Sequence, residues 1–315
     1  MWWGSLQLSF VSDSMTAPEP QPTFSSPPGA HPVLALIAGA ATWGCIWYPY
    51  RVLAEWGVGG VWALLLTEVV AIAATVIWFF RPLKAGFHWS GALLAIALFS
   101  GICNVAFVMG TLLGEVIRVT LLLYLAPLWT VLLSRWVLQE RLSLSGWGLI
   151  LMALAGAVIM LWHPSHGAPW PASIADWLGI AAGITFAAYN VMVKKATQHG
   201  LPEKSLMSLV GTLGVGLVCL PFAGGLPGSM TVASWGVVLV TGLALFVMIP
   251  MVQYGLMRLP ANRASVIMLS ELIFAGASAW WLAGEAMGTK EWIGGGLIVL
   301  AGALAARQAP EGGAH

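Results

Sequence analysis

The sequence predicts an all-α polytopic membrane protein in which ten transmembrane helices form two inverted five-helix repeats around a central cavity. Three observations carry that expectation: an apolar composition, about ten apolar runs of spanning length, and an internal repeat containing an odd number of spans. The 315 residues are 59% hydrophobic and 8% charged, with a mean hydropathy of +0.87. A water-soluble domain of this size needs far more polar surface. A spanning helix takes about 20 apolar residues, so the runs account for most of the chain and leave little for a domain outside the bilayer. A formal net charge of +1 makes no electrostatic case for nucleic acid as a partner. Cys45, Cys103 and Cys219 are odd in number and sit inside apolar runs, as small core residues and not as a disulfide framework.

Residues 1–32 carry Pro18, Pro20, Pro22, Pro27, Pro28 and Pro32 but no Lys or Arg. Lacking a positive n-region they do not read as a signal peptide, and they are expected to form a flexible cytoplasmic tail, with Met15 a candidate native start. Spans are expected at about 33–53, 60–80, 90–112, 115–136, 146–162, 175–196, 205–222, 234–257, 263–283 and 291–307, followed by a short cytoplasmic tail over 308–315. Trp56, Trp62, Trp78, Trp89, Trp136, Trp147, Trp162, Trp177, Trp235 and Trp292 fall near span ends, where an amphipathic indole prefers the headgroup layer. Counted by alternate loops, ten of the thirteen Lys and Arg lie on one side, leaving Arg51, Arg118 and Lys290 on the other. Because basic residues are retained in the cytoplasm, both termini are expected there, and a bacterial inner membrane is the simplest location.

A shift of 145 residues aligns Gly91 with Gly236, Gly110 with Gly255, Arg118 with Arg263, Glu140 with Glu285 and Trp147 with Trp292. A shift of 143 extends the match upstream, pairing Arg51 with Lys194 and Gly57 with Gly200. The repeats are therefore expected over 33–162 and 175–307. Five spans per copy is an odd number, so the second copy enters the membrane from the opposite side, an architecture suited to alternating access at a midplane site.

Within each copy the pattern is loose but recognisable: Pro127 mid-span, Glu140 thirteen residues later, then Trp147 leading a span with Gly148 and Gly156, repeated as Glu285, Trp292, Gly294 and Gly302. It resembles the drug/metabolite transporter superfamily, EamA type, over about residues 33–307. Leu272 stands where Pro127 would be matched, a departure that removes the expected kink from the ninth helix. The resemblance implies a ten-helix exporter of small metabolites whose cavity is lined chiefly by helices 1, 3, 4, 6, 8 and 9. The aromatic-rich spans are similar to amino-acid exporters of the YddG type.

Polar groups at mid-depth are the best pointers to a pathway, since lipid does not satisfy them. In the first span Trp43, Trp47 and Tyr50 share one helical face near Pro49. The fourth offers Thr120 and Tyr124, with Trp129 beyond. The sixth offers Thr185, Tyr189 and Asn190, the third Asn104 and Phe107, and the eighth Gln253 and Tyr254. Converging, these rings and amides would suit an aromatic or amphipathic solute; equally, each is what close helix packing uses. Glu68 and Glu271 are mid-span carboxyls that cost roughly 2.5–3.5 kcal/mol to insert. They are candidates to bind a proton, a substrate ammonium or a cationic drug, the alternative being a neutral carboxyl bonded between helices. Glu140 and Glu285, at helix ends, read as structural. Gly110 with Gly114 and Gly179 with Gly183 are small-xxx-small pairs expected at close helix contacts.

A membrane-embedded enzyme is disfavoured, because Asp13 and Asp176 lie outside the spans and His88, His163, His166 and His199 sit in loops near the surface. No cofactor is expected, and no metal, since no His-rich cluster lies in the membrane and a loop pair such as His163 and His166 binds a metal weakly at most; with no phosphate-binding Gly-rich loop, any energy comes from an ion or solute gradient and not from ATP. The expected function is export of amino acids, aromatic or otherwise apolar. An organic-cation exporter of the same fold is the main alternative, and a non-transporting scaffold a lesser one. The partners expected are a small-molecule substrate and the lipid bilayer.

Overall fold

A computed structural model describes residues 30–126, 128–129, 132–133, 144–161, 171–222, 227–228, 230–258, 267–268, 270–285 and 287–307, and all secondary structure among them is helical. In chain order the helices are α1 (Ala30–Cys45), α2 (Trp47–Glu55), α3 (Gly60–Trp78), α4 (Phe80–Gly86), α5 (Gly91–Leu113), α6 (Val116–Leu123), α7 (Leu144–Leu161), α8 (Ile174–Lys195), α9 (Leu201–Cys219), α10 (Val232–Arg258), α11 (Ser270–Ala283) and α12 (Thr289–Arg307). Six segments are long and apolar enough to cross a membrane: His31–Glu55, Gly60–Trp78, Gly91–Leu113, Ile174–Val193, Leu201–Phe222 and Val232–Gly255. The remaining expected spans coincide with α6, α7, α11 and α12, which are shorter, less apolar or bounded by residues outside the described set. Residues 1–29 of the expected amino-terminal tail, Pro127, Glu140, His163 and His166 also lie outside it, whereas residues 30–32 already belong to α1.

Two local features depart from the sequence reading. The first span is divided at Ile46, because Pro49 has no N–H to offer the Cys45 carbonyl four residues back. A short amphipathic helix, α4, occupies what was expected to be plain loop after α3. Leu272 lies in the first turn of α11. The expected headgroup tryptophans Trp56, Trp78, Trp89, Trp147, Trp177, Trp235 and Trp292 are exposed at helix ends.

Helix ends follow from their capping residues. The Ser90 hydroxyl accepts the Leu93 N–H to start α5, and Ser173 with Asp176 forms a reciprocal capping box at α8. Gly57, at φ +82°, closes α2, with Val58 N–H reaching the Leu53 carbonyl and Gly57 N–H the Ala54 carbonyl.

The core runs between helices, while Leu94, Leu98, Val240 and Ile273 point outward, as a lipid-facing surface requires. The main contacts are α5 with α8 and α9, α10 with α1 and α3, α3 with α9, α6 with α8, α11 with α1, α6 with α11, and α7 with α12. Glycines allow several of these approaches. A Cβ at Gly183 would lie 2.9 Å from the Leu123 carbonyl, and one at Gly179 would lie 3.1 Å from the Val119 carbonyl, so the Gly179/Gly183 pair seats α8 on α6. At Gly211 an added methyl would collide with the Ala97 backbone, which sets the spacing of α9 and α5. Gly211→Ala is expected to cost about 1–3 kcal/mol through forced separation of these helices, read as a lowered unfolding midpoint in detergent.

Candidate functional site

One face of α5 carries Ser100, Cys103, Asn104 and Phe107 at helical spacing, and it meets α8 and α9. The Ser100 hydroxyl donates to the Ser208 carbonyl at 2.7 Å, and the Asn104 amide donates to Thr212 Oγ1 at 2.8 Å. The Cys103 thiol lies beside Thr185 and near Glu271. Phe107 receives the Trp43 ring edge-on, with centroids 6.4 Å apart, which joins the α1 aromatic face to α5.

Two further polar clusters stand beside this face. Gln253 on α10 donates to the Tyr189 hydroxyl at 3.1 Å and accepts from Ser205 at 3.0 Å, so α8, α9 and α10 share one amide. The Tyr124 hydroxyl, just past α6, lies 2.7 Å from Glu271 Oε2 and 3.0 Å from the Met268 carbonyl. Glu271 is buried on α11, and no ion pair to it occurs among the described residues. Its carboxyl therefore keeps acceptor capacity that no described residue uses.

Trp47 and Tyr50, further along the first-span face, make their hydrogen bonds to other partners. Trp47 is wholly buried, its indole N–H shared between the Gly44 carbonyl at 3.1 Å and Ser278 Oγ at 3.0 Å. Tyr50 reaches Thr67 Oγ1 at 2.9 Å, next to Glu68, which is buried on α3 with Oε2 unpartnered. Arg51 places its guanidinium 4.8 Å over the Trp47 ring. It bonds the Thr111 and Gly114 carbonyls at 2.9 and 3.4 Å, and pairs with Glu285 at 3.3 Å. Gly284, at φ +67°, turns the chain so that Glu285 can also accept the Ile117 N–H at 3.2 Å.

Of the residues expected to line a path, Trp43, Asn104, Tyr124, Tyr189, Gln253 and Glu271 thus belong to connected contacts among α1, α5, α6, α8, α9, α10 and α11. Trp129 is half-buried with its indole N–H unpartnered, and Asn190 is half-buried beside Tyr189. Tyr254 lies under the Arg258 guanidinium at 5.2 Å. Tyr50 and Glu68 lie together at α2 and α3, and Trp47 ties α2 to Gly44 on α1 and Ser278 on α11. Sequence reasoning missed Ser100, Cys103, Ser205 and Ser208, although Ser100, Cys103 and Asn104 share a face in the sequence itself. It placed Asp176 outside the spans and His199 near the surface. Both are buried: Asp176 caps α8 and holds Arg118 by two bonds of 2.6 and 3.1 Å, and His199 bonds Ser90 and Glu203. The His, Cys, Asp or Glu side chains that converge closely enough to hold a metal, among the described residues, are His88, His199 and Glu203.

The sequence model of the EamA-like transporter family matches twice, at residues 31–162 and 173–307. A relative from Archaeoglobus fulgidus, known only as an uncharacterized transporter, is 27% identical over 214 residues, covering 68% of this chain and 75% of its own length. A protein of known crystal structure shares the fold with a TM-score of 0.60 at 15% identity, over 87% of this chain and 96% of its own. Two family matches laid end to end across a helical, bilayer-suited chain lead to one conclusion: the protein is a multi-pass membrane protein that belongs to the EamA-like transporter family.

Proposed function

We propose that this protein is a secondary transporter exporting amino acids, aromatic or otherwise apolar, by alternating access of two inverted five-helix halves. The observation that carries the reading is an exchange symmetry in the helix contacts. Taking α1 with α2 as the first span, each major contact maps onto another when every span is replaced by its repeat mate. α5 on α8 becomes α10 on α1; α5 on α9 becomes α10 on α3; α6 on α8 becomes α11 on α1; and α3–α9, α6–α11 and α7–α12 map onto themselves. Direction supports inversion as well. α5 ends, and α6 begins, at the face where Arg51 and Glu285 meet, whereas α10 ends where α1 begins, with Gly255 against Leu36 and Pro32, and α11 ends at Glu285. These directions support mates that run oppositely, as a two-fold axis in the membrane plane demands.

The aromatic side chains Trp43, Phe107, Tyr124 and Tyr189 with the amides Asn104 and Gln253 suit a ring-bearing zwitterion: rings stack and amides meet its polar ends. The basic-residue distribution supports cytoplasmic termini and an inner-membrane location. Purified protein in liposomes is expected to move radiolabelled aromatic amino acids in counterflow. Absence of flux for every amino acid and organic cation tried overturns the proposal. Trp43→Ala is expected to lower aromatic flux roughly two- to tenfold, the value of one aromatic contact of about 0.5–1.5 kcal/mol. A second reading, export of organic cations, is favoured by one observation: Glu271 is a buried carboxyl with no cationic partner among the described residues. Selective loss of cation flux in Glu271→Gln would decide for it.

A further inference from the structure

We propose that His88, His199 and Glu203 form a binding site for a divalent transition-metal ion of the zinc type. They lie at the face opposite the Arg51–Glu285 pair, because α5 starts beside His199 and ends beside Arg51, about 34 Å away at 1.5 Å per residue over 23 residues. His88 belongs to the extended segment between α4 and α5. His199 lies just before the N-cap residue Gly200 of α9, and Glu203 lies in its first turn. One ligand atom from each falls within 4.8 Å of the others.

The donor chemistry selects the ion. Two imidazoles and one carboxylate form the mixed nitrogen and oxygen set that Zn²⁺, Co²⁺ or Ni²⁺ accept, whereas calcium and magnesium prefer oxygen throughout. His199 Nδ1 is 3.0 Å from Glu203 Oε2, and His88 Nδ1 is 3.9 Å from Glu203 Oε1. The rings of His88 and His199 stack with centroids 4.3 Å apart. His199 and Glu203 are buried and held in place. Glu203 Oε2 takes the Gly200 N–H at 2.9 Å, and His199 Nε2 is 2.7 Å from Ser90 Oγ, which itself accepts the Leu93 N–H. With His199 ligating through Nδ1, its Nε2–H would donate to Ser90, the outer partner that orients ligating histidines. Tetrahedral bonds of about 2.0–2.1 Å put ligand atoms ~3.4 Å apart. The movement needed falls to His88, the exposed member, whose Nδ1 would exchange its 3.0 Å contact with the Gly86 carbonyl for the ion. Solvent at that side supplies the fourth ligand. An ion here would fasten the α4–α5 segment to the α8–α9 junction, and binding does not depend on what the protein transports.

Tag-free protein in detergent is titrated with Zn²⁺ by calorimetry and with Co²⁺ by visible absorption. One equivalent is expected to bind, with the intense d–d bands of tetrahedral cobalt. His88→Ala should lose at least about tenfold in affinity with an unchanged melting temperature, and Ser90→Ala should lose about 10–100-fold if the outer partner orients His199. Absence of stoichiometric binding overturns the proposal. So does binding that His88→Ala leaves intact, which would place the ion elsewhere.

Discussion

Glu271→Gln is expected to cut transport at least tenfold, about 1.4 kcal/mol, while leaving the fold and melting temperature nearly unchanged. The two oxygens of Glu271 are not equally occupied: Tyr124 reaches Oε2 at 2.7 Å, and no charged partner neutralises the group among the described residues. An acidic side chain in the bilayer centre costs roughly 2.5–3.5 kcal/mol, and the single tyrosine bond offsets only about 0.5–1.5 kcal/mol of it. Packing alone gives no reason to keep a carboxyl there. Glutamine keeps the shape and can still accept from Tyr124, but it neither binds a proton nor balances a cation. A purely structural Glu271 would therefore give a Gln variant with wild-type flux, and that result would remove the residue from the transport site. Tyr124→Phe, which deletes the neighbour and spares the carboxyl, is expected to have the smaller effect, about two- to tenfold on flux, in the same liposome assay.

Why Glu271 was legible in the sequence and its surroundings were not is a matter of what hydropathy encodes. A carboxyl in an apolar run announces its depth, because the lipid penalty is the same whichever way the side chain points. Glu68 announced itself equally well, yet it lies with Tyr50 and Thr67 beside α2 and α3, apart from the Glu271 cluster. Azimuth is set by packing between segments far apart in the chain, such as Tyr124 with Glu271 or Asn104 with Thr212, and no local pattern carries it. Trp47 shows the same limit. Its place on a face with Trp43 was readable, but its indole is consumed by Gly44 and Ser278, the latter 231 residues away. Helix position was better encoded, since glycine spacing at Gly179 and Gly183 and the capping residues at Ser90 and Ser173 act through their own backbone. The break at Ile46 was readable in principle from Pro49; the sequence reading located the disturbance at the proline, whereas the carbonyl that proline cannot serve lies four residues earlier.

The second large effect concerns Glu285, and a charge-reversal experiment is expected to fail for an instructive reason. Arg51 and Glu285 look like an ion pair open to rescue by exchange, but their side chains are partly exposed, and such pairs contribute only about 0–1 kcal/mol. Larger contributions come from what each does to the backbone. Glu285 accepts the Ile117 N–H at the start of α6, and Arg51 donates to the Thr111 and Gly114 carbonyls at the end of α5. Charge-assisted bonds of this kind contribute about 1.5–3 kcal/mol each. In Arg51→Glu/Glu285→Arg the pair is restored, yet an acidic group faces two carbonyls and a cation faces a helix N-terminus, which prefers negative charge. The double variant is therefore expected to unfold at a midpoint no higher than Glu285→Ala. Glu285→Gln, which retains an acceptor for Ile117, should lose only the ion pair and stay within about 1 kcal/mol of the parent. Recovery of stability and flux in the reversed pair would show that charge alone joins α2 to α11, and that the backbone bonds at the ends of α5 and α6 are incidental.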